Sequence, residues 1–444
     1  MPRLRALVAT AALLAAAGAL LTGCSPASSG ATTLTFRTWD ENAAKAYRQS
    51  FAALHKKDPD LTVKVDVVPW ADYFTKLRTD LAGGSADDLF WMNAQNYSEY
   101  AKNGALVDVD KALGTSAKKA WAPQVVDQFT QDGTLWGVPQ TSDGGIAVYY
   151  NKELVQQAGL TEADIAKLTW SPDHGADDTL LKVAQKLTKD SNGKTADQPG
   201  FDADKTVQWG YSAAQDLQAI YLPFIGSNGG TFQKSDGTFT FTDPKTEQAF
   251  QYLVDLINEF HVAPSAADTN SDGDFTLNQF QQGKIALFQS GLYNLSNVAD
   301  NVKFSWGVVS LPAGPAGAVS VTNGVSVVGN AKSTHQKQVA EVLKWLGSEK
   351  GNAYIGSSGA NLPAVLDAQQ VYFDHWKKAG VDVSPFFDVI DDKPTIPAPV
   401  GAHFSDASTA FKPYLDEVFL GRTSVKKGLE QAQKAANKAV TGGD

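Results

Sequence analysis

From residue 34 onward, apolar positions recur in two alternating rhythms. Leu34–Thr38 (LTFRT) reads as a strand, and Val63, Val65 and Val67 alternate with Lys64 and Asp66 at the period of two that a strand requires. Between them, Ala43, Tyr47, Phe51 and Leu54 stand about one helical turn apart. Tyr73, Leu77 and Leu81 line a second helix, stopped by Gly83-Gly84. Asp88-Leu89-Phe90-Trp91 makes a third strand, with Met92-Asn93-Ala94-Gln95 placed just past its end, and Asn103-Gly104 closes the next helix. Strand and helix alternate throughout, which predicts an α/β lobe built on a parallel sheet. In such sheets ligands sit beyond the carboxyl ends of the strands, where Trp39, Asp40, Asn93 and Gln95 fall.

The stretch Val138–Leu154 (VPQTSDGGIAVYYNKEL) breaks the rhythm. Pro139 and Gly144-Gly145 punctuate it, Ile146–Tyr150 is a short apolar run of strand type, and helical spacing follows as far as Gly159. Read locally, it is a buried strand feeding a helix; its position after a complete run of alternating elements makes it the expected passage from one lobe to another. The alternation then resumes. Leu180, Val183, Ala184 and Leu187 form a helical stripe, and Asp190–Lys205 is a polar, Gly- and Pro-bearing insertion expected at the surface. Trp209-Gly210-Tyr211 and Ile285–Phe288 are strands. Asp243-Pro244 sets an N-cap before an N1 proline, with Phe250, Leu253, Val254 and Ile257 lining the helix after it. Later stripes fall at Val339, Leu343, Leu346 and at Phe411, Tyr414, Leu415, Val418. Trp70, Trp121, Trp306 and Trp345 are assigned to the core, the usual fate of tryptophan at such spacings.

Length and composition sharpen this picture. A chain of 444 residues exceeds one ordinary core, so two lobes are expected, and 43% hydrophobic with 19% charged residues is a globular composition. A net charge of −10 argues against nucleic acid as a partner. At the N-terminus, Arg3 and Arg5 precede an almost unbroken apolar run, Ala6–Leu21, and then Leu21-Thr22-Gly23-Cys24. The run is short for a membrane span and ends in small residues, as a signal peptide does. LTGC resembles the bacterial lipobox. The resemblance implies cleavage before Cys24, the only cysteine, and a diacylglycerol on its sulfur; the alternative is an ordinary signal peptide with an incidental cysteine. Residues 25–33 (SPASSGATT) read as a flexible tether, and with one cysteine no intrachain disulfide can form.

Catalytic patterns are mostly missing. There is no G-x-S-x-G, H-E-x-x-H, Walker A or G-x-G-x-x-G, and the six histidines are scattered. Adjacent carboxylates such as Asp87-Asp88 or Asp391-Asp392 do not indicate a glycosidase pair, because 48 acidic residues make chance neighbours certain. Asp268-Thr-Asn270-Ser-Asp272-Gly273 has calcium-loop spacing, but the twelfth position is the neutral Gln279. The competing reading is an acidic loop that caps a helix. No other cofactor is indicated.

The ordered series TLTFRTWD, WADYFTKLRTDLAGGSADDLFWMNA, NGALVDVD, LWGVPQTSDGGIAVYYNKEL, GKIALFQSGLYNLSN, FSWGVVSLPAG, TNGVSVV and NLPAV resembles the extracellular solute-binding proteins of ABC transporters, of the sugar-binding type. It spans essentially all of the chain after the signal segment. The resemblance implies an α/β, two-lobed, periplasmic-binding-protein-like clamp of type II. Each lobe is then a mixed sheet flanked by helices, and crossing segments join the two. On this reading 1–23 is the signal peptide and 24–33 the tether. The N-lobe comprises 34–142 and 320–360, and the C-lobe 143–319 and 361–444. The partners implied are a sugar or oligosaccharide, a membrane permease, and the membrane itself through Cys24, with the protein extracytoplasmic, monomeric and not an enzyme.

Carried over residue by residue, the resemblance places first-lobe ligand contacts at Trp39, Asp40 and Glu41, and at Asn93 and Gln95 after the third strand. Glu41 reads equally as a first-turn helix residue. Asp143 matches an acidic contact at the first crossing, or else a turn residue before Gly144. Gly291 and Tyr293 match a family G-x-W whose ring stacks on sugar, Tyr replacing Trp here. Asn323 and Gly324 lie on the second crossing, and Asp216 and Phe404 complete the set. Such groups suit a pyranose, whose hydroxyls need amides and carboxylates and whose C–H faces pack on rings. A binding protein for another solute and a surface hydrolase remain the competing functions.

Overall fold

The structure is a computed structural model that describes residues 30–391, 393–401 and 403–441; the expected signal segment and Cys24 lie outside the described residues. Ten strands make two five-stranded sheets. The first contains β1 (Thr32–Thr38), β2 (Leu61–Val67), β3 (Leu89–Asn93) and β4 (Val138–Ser142). The second contains β5 (Ile146–Asn151), β6 (Lys189–Asp190), β7 (Thr206–Tyr211), β8 (Ile285–Gly291) and β9 (Trp306–Val309). The chain then returns to the first sheet with β10 (Gly324–Gly329). The orders are β2-β1-β3-β10-β4 and β9-β5-β8-β7-β6. β1, β2 and β3 are parallel, while β10 runs antiparallel to both β3 and β4, so each sheet is mixed.

Val138–Leu154 supplies a strand to each sheet, with only Asp143, Gly144 and Gly145 between them. β5 is buried along its whole length, as a central strand covered on both faces must be. Ile146, Val148 and Tyr150 enter one core, which holds the helices Thr179–Leu187, Pro244–Asn258, Phe404–Phe419 and Val425–Val440. Ala147 and Tyr149 enter another, with Phe288, Tyr372 and Trp376. The first sheet has its own core around Phe36, Tyr47, Trp91, Val327 and Leu343. A third passage follows the helix Glu349–Ser357. There the Ser142 N–H donates to the Leu362 carbonyl (3.0 Å), and the chain goes on to the helix Gln370–Lys378 of the second lobe.

Four expectations need correction. β1 begins at Thr32, not Leu34, because Thr32 and Thr33 already pair with Leu61 and Thr62, so the last two residues of the expected tether belong to the strand. β3 runs through Asn93 instead of stopping at Trp91, because β10 pairs with it as far as Val325↔Asn93, beyond the reach of β1. Asp190, at the start of the polar insertion, is buried. Its carboxylate accepts from the N–H groups of Asn192 (2.8 Å), Lys194 (2.9 Å) and Asp202 (3.1 Å), pinning the loop that follows. Trp70 is not in the core: it is 53% exposed. Trp121 is buried as expected, and Trp306 and Trp345 are half-buried.

The helix α1 (Glu41–Lys57) lies between β1 and β2 in sequence, and α2 (Trp70–Gly83) between β2 and β3. Arg37, on β1 and 4% exposed, fixes α2 to the sheet. Its Nη2 meets Asp80 on α2 at 2.6 Å, and its Nε meets Asp87 just before β3 at 2.5 Å. Removing one partner from a buried ion pair strands the other charges and typically costs about 3–5 kcal/mol. Arg37→Met should therefore lower the unfolding free energy by about that amount in urea titration. A loss below about 1 kcal/mol would mean that Asp80 and Asp87 are solvated well enough to stand alone.

Candidate functional site: the cleft edge of the two sheets

The strand directions decide which residues share the cleft. The C-terminal ends of β1, β2 and β3 lie on one edge of the first sheet because the three strands are parallel. β10 begins at that same edge and β4 ends there, since Gly324 pairs with Ser142 and Val325 with Asn93. In the second sheet, the start of β5 pairs with the end of β8 (Ile146↔Gly291), and β7 is parallel to β8. The residues after β7 and β8, and those before β5, therefore meet the first sheet's edge across the crossings.

Four of these side chains form one hydrogen-bonded chain between the lobes. The Nδ2 of Asn323 donates to Gln95 Oε1 at 3.1 Å and to Gln218 Oε1 at 3.4 Å. Gln218 Nε2 donates to Asp143 Oδ2 at 3.3 Å. The backbone completes a loop: the Asp143 N–H donates to the Asn323 carbonyl at 3.1 Å, and Asn323 Oδ1 accepts from the Gly324 N–H at 3.0 Å. Gly324 is required there, since a Cβ would come within 2.6 Å of Val125 Cγ1. Gln95, Asn323 and Asp143 are thus brought together as sequence reading grouped them. Gln218 was missed, because nothing in Leu217-Gln218-Ala219 marks it before the fold places it.

Asp216, two residues earlier, has a different task. Its carboxylate caps the turn Leu217–Tyr221, accepting from the Ala219 N–H at 2.7 Å. That turn is wide, with the Tyr221 N–H reaching back to the Asp216 carbonyl at 2.9 Å, a geometry common near functional sites. Burial raises the pKa of Asp216, opposed by the N–H groups of Ala219 and Gln218. Asp143 is shifted further: burial between the lobes pushes it up to about 7, against the pull of the Gln218 amide.

Tyr293 follows β8. The end of β8 pairs with the start of β5 (Ile146↔Gly291), which sets Tyr293 beside the crossing that carries Asp143. Burial raises the Tyr293 hydroxyl pKa, and the charges of Asp216 and Asp143 add to the rise. Its ring folds over Gly291, where a Cβ would lie 2.1 Å from Tyr293 Cε1. The G-x-Tyr spacing has a steric meaning: only glycine lets the ring lie flat against the strand end.

The remaining residues divide. Trp39 is half-buried and edge-on to Trp91 (4.8 Å between centroids), Tyr73 (4.9 Å) and Trp70 (5.2 Å). Asp40 caps α1, accepting from the N–H groups of Asn42 (2.7 Å) and Ala43 (2.9 Å), and burial raises its pKa. The Asn361 side chain faces the Asp40 carboxylate and works against that rise. Glu41 is exposed and paired with Arg48 at 3.0 Å. Asn93 is buried and accepts from Asn96 Nδ2 at 2.8 Å. Phe404 packs in the second lobe's core, 6.4 Å from Phe239. Asp268 lies in the short helix Ala266–Thr269, and the Asn270 side chain turns to the Asp416 carbonyl at 3.4 Å. Among the described residues, no group of three or more His, Cys, Asp or Glu side chains is placed to hold a metal ion. At the rims, Asn42 donates to Asn297 at 3.2 Å and Arg78 to Ser405, so side chains of the two lobes touch on either flank of the polar chain.

Two sheets of this order, joined by adjacent crossings with polar side chains at the junction, define a two-lobed binding clamp. Residues 33–353 match the family described as bacterial extracellular solute-binding protein, and the chain belongs to that family. The crystal structure of UspC from M. tuberculosis is 53% identical, covering 92% of this chain and all of that one, with a TM-score of 0.71. The substrate-binding protein Lmo0181 of Listeria monocytogenes, solved with cycloalternan, shares the fold at 23% identity, with 93% and 99% coverage and a TM-score of 0.78. The maltodextrin-binding protein MdxE of Bacillus subtilis is 24% identical over 90% of this chain and 87% of its own length.

The raised pKa of Asp143 carries a pH signature. Between the ordinary carboxylate value of 3.8 and about 7, the folded protein holds a proton that the unfolded chain has released. Stability is fully present below that window and falls as pH rises through it. Asp143→Asn keeps an acceptor for Gln218 and removes the titration. The ligand-free melting temperature of the wild type should fall more steeply between pH 5 and pH 8 than that of the variant. Identical slopes would show that Asp143 is ionised throughout.

Proposed function

We propose that this protein captures a sugar or oligosaccharide between its lobes and delivers it to an ABC import permease, and that it is a binding protein, not an enzyme. The polar chain Gln95–Asn323–Gln218–Asp143 carries the reading. It joins donors and acceptors from both lobes and both crossings, beside the ring of Tyr293. Amide and carboxylate groups next to an aromatic face are what a pyranose recognises. A ligand bonded to both sides favours the closed arrangement, because it interacts with the two lobes only when they are together. Relatives with saccharides in their printed names support the choice of ligand class, among them MdxE and the arabinooligosaccharide-binding protein of Bacillus subtilis.

The non-enzymatic part rests on how the carboxylates are used. Asp40 and Asp216 cap helical turns through backbone N–H groups, which leaves neither free to serve as an acid or nucleophile. The Leu21-Thr22-Gly23-Cys24 sequence supports a lipid anchor on Cys24 that holds the protein at the outer face of the membrane.

Titration calorimetry with a panel of mono- and oligosaccharides tests the reading. Tyr293→Ala should weaken the saccharide that binds by about tenfold, equivalent to about 1.4 kcal/mol, while ligand-free stability stays near wild type. Gly291→Ala should weaken it too, by forcing the ring off the strand end. Unchanged affinity in both variants would remove the β8 terminus from the site, and turnover of a chromogenic glycoside would reject the non-enzymatic reading.

A further inference from the structure

We propose that Trp70 is an outer subsite for a sugar ring, and that the ligand is an oligosaccharide reaching from the crossings to the far lip of the cleft. This rests on the saccharide reading above and extends it along the sheet edge.

Strand order sets the distances along the cleft edge. The crossings leave from β4 and β10, at one side of the first sheet, and β2 is the strand at the opposite side. All five strands present their cleft ends on the same edge, so the positions after β2, β1 and β3 and before β10 form a row. Trp70 heads the row, three residues after Val67, followed by Trp39, Asn93 with Gln95, and Asn323. Four strand spacings of about 4.8 Å put the lip roughly 19 Å from β4 along that edge. That is too far for one monosaccharide held by Asn323 and Tyr293 to touch.

Trp70 is the one exposed tryptophan among the described residues. Its open indole stands three residues past the cleft end of β2, where a ligand in the cleft could cover apolar area. It is also held in place. Its ring stands edge-on to Trp39 (5.2 Å, 71°) and to Phe74 (5.4 Å, 89°), and α2, which carries it, is tied to β1 through Arg37 and Asp80. A fixed aromatic face loses little freedom on binding and suits the C–H face of a pyranose. It also adjoins Trp39, so it is continuous with the cleft and not an isolated surface patch.

The test uses three ladders of two to five units: α-1,4-gluco-, β-1,4-gluco- and β-1,4-manno-oligosaccharides. Each is titrated into wild type, Trp70→Ala, Trp70→Phe and Tyr293→Ala. For the ladder that binds, wild-type affinity should rise with length. Trp70→Ala should lose about tenfold on the longest member and less than twofold on the shortest, with Trp70→Phe intermediate. Acrylamide quenching of the Trp70 contribution, read as wild type minus Trp70→Phe, should fall when the longest member binds. Equal affinity of Trp70→Ala at every length overturns the inference, even if uptake by cells is impaired; that outcome would make Trp70 a permease contact. An equal loss at every length overturns it as well. Loss in Tyr293→Ala without loss in Trp70→Ala leaves the saccharide reading standing and rejects this one. Binding of a monosaccharide with no binding of any ladder by wild type also rejects this inference and leaves the saccharide reading standing.

Discussion

Everything at the cleft depends on two backbone crossings that run side by side. The bond from the Asp143 N–H to the Asn323 carbonyl holds them in register, and the side chains of the same two residues reach out to opposite lobes. With the third passage after Glu349–Ser357, the junction is short and linked three times, so a rotation of the lobes about it would displace the polar groups at the pivot least. That division is useful for recognition. On the hinge closure proposed above, the groups nearest the crossings would move least and the rims, where Asn42 meets Asn297 and Arg78 meets Ser405, most.

The lobes can move as bodies because each has a core of its own. Phe36, Tyr47 and Trp91 pack in the first, and Val148, Phe250 and Phe411 in the second. The aromatic side chains of the first lobe form a continuous series from interior to surface. Trp91 donates its indole N–H to the Tyr47 hydroxyl, which donates in turn to Gln140, while its ring supports Trp39 and through it Trp70. The aromatic lip formed by Trp39 and Trp70 is thus an outcrop of the core, which is why it is both apolar and held in place.

Sequence periodicity revealed most elements because they are long and one-sided. Tyr47, Phe51 and Leu54 mark α1, and Asp243-Pro244 marks the start of Pro244–Asn258. Asp190 is a local case, tied down by Asn192, Lys194 and Asp202; the other errors concern neighbours supplied by distant parts of the chain. Asn93 was placed beyond β3 because β10 arrives only after the whole second sheet. Trp70 was assigned to the core because Tyr73 and Leu77 follow it at helical spacing. Its exposure comes from β2 being an edge strand, which strand order along the chain does not reveal. The same rule that flagged Trp39, a ring at the end of a strand, applied to Trp70 as well. Gln218 had no local signal, since three segments must converge before it has a partner. Asp143 stood out because Gly144-Gly145 announced a passage, whereas the cap that Asp40 makes on α1 was not read from the sequence, where it had only a ligand role.

The return of β10 to the first sheet bears on the order in which the protein can be made. β10 lies between β3 and β4, so without it the first sheet is two unjoined pieces. The chain must first be synthesised through all five strands of the second sheet before Val325 can find Asn93. Such late, long-range pairing is slow, and no N-terminal fragment can complete the first lobe ahead of the rest. For a chain of an extracytoplasmic family, this delay would be an advantage. The leading part of the chain stays incomplete, and so threadable, until nearly three quarters of it has emerged.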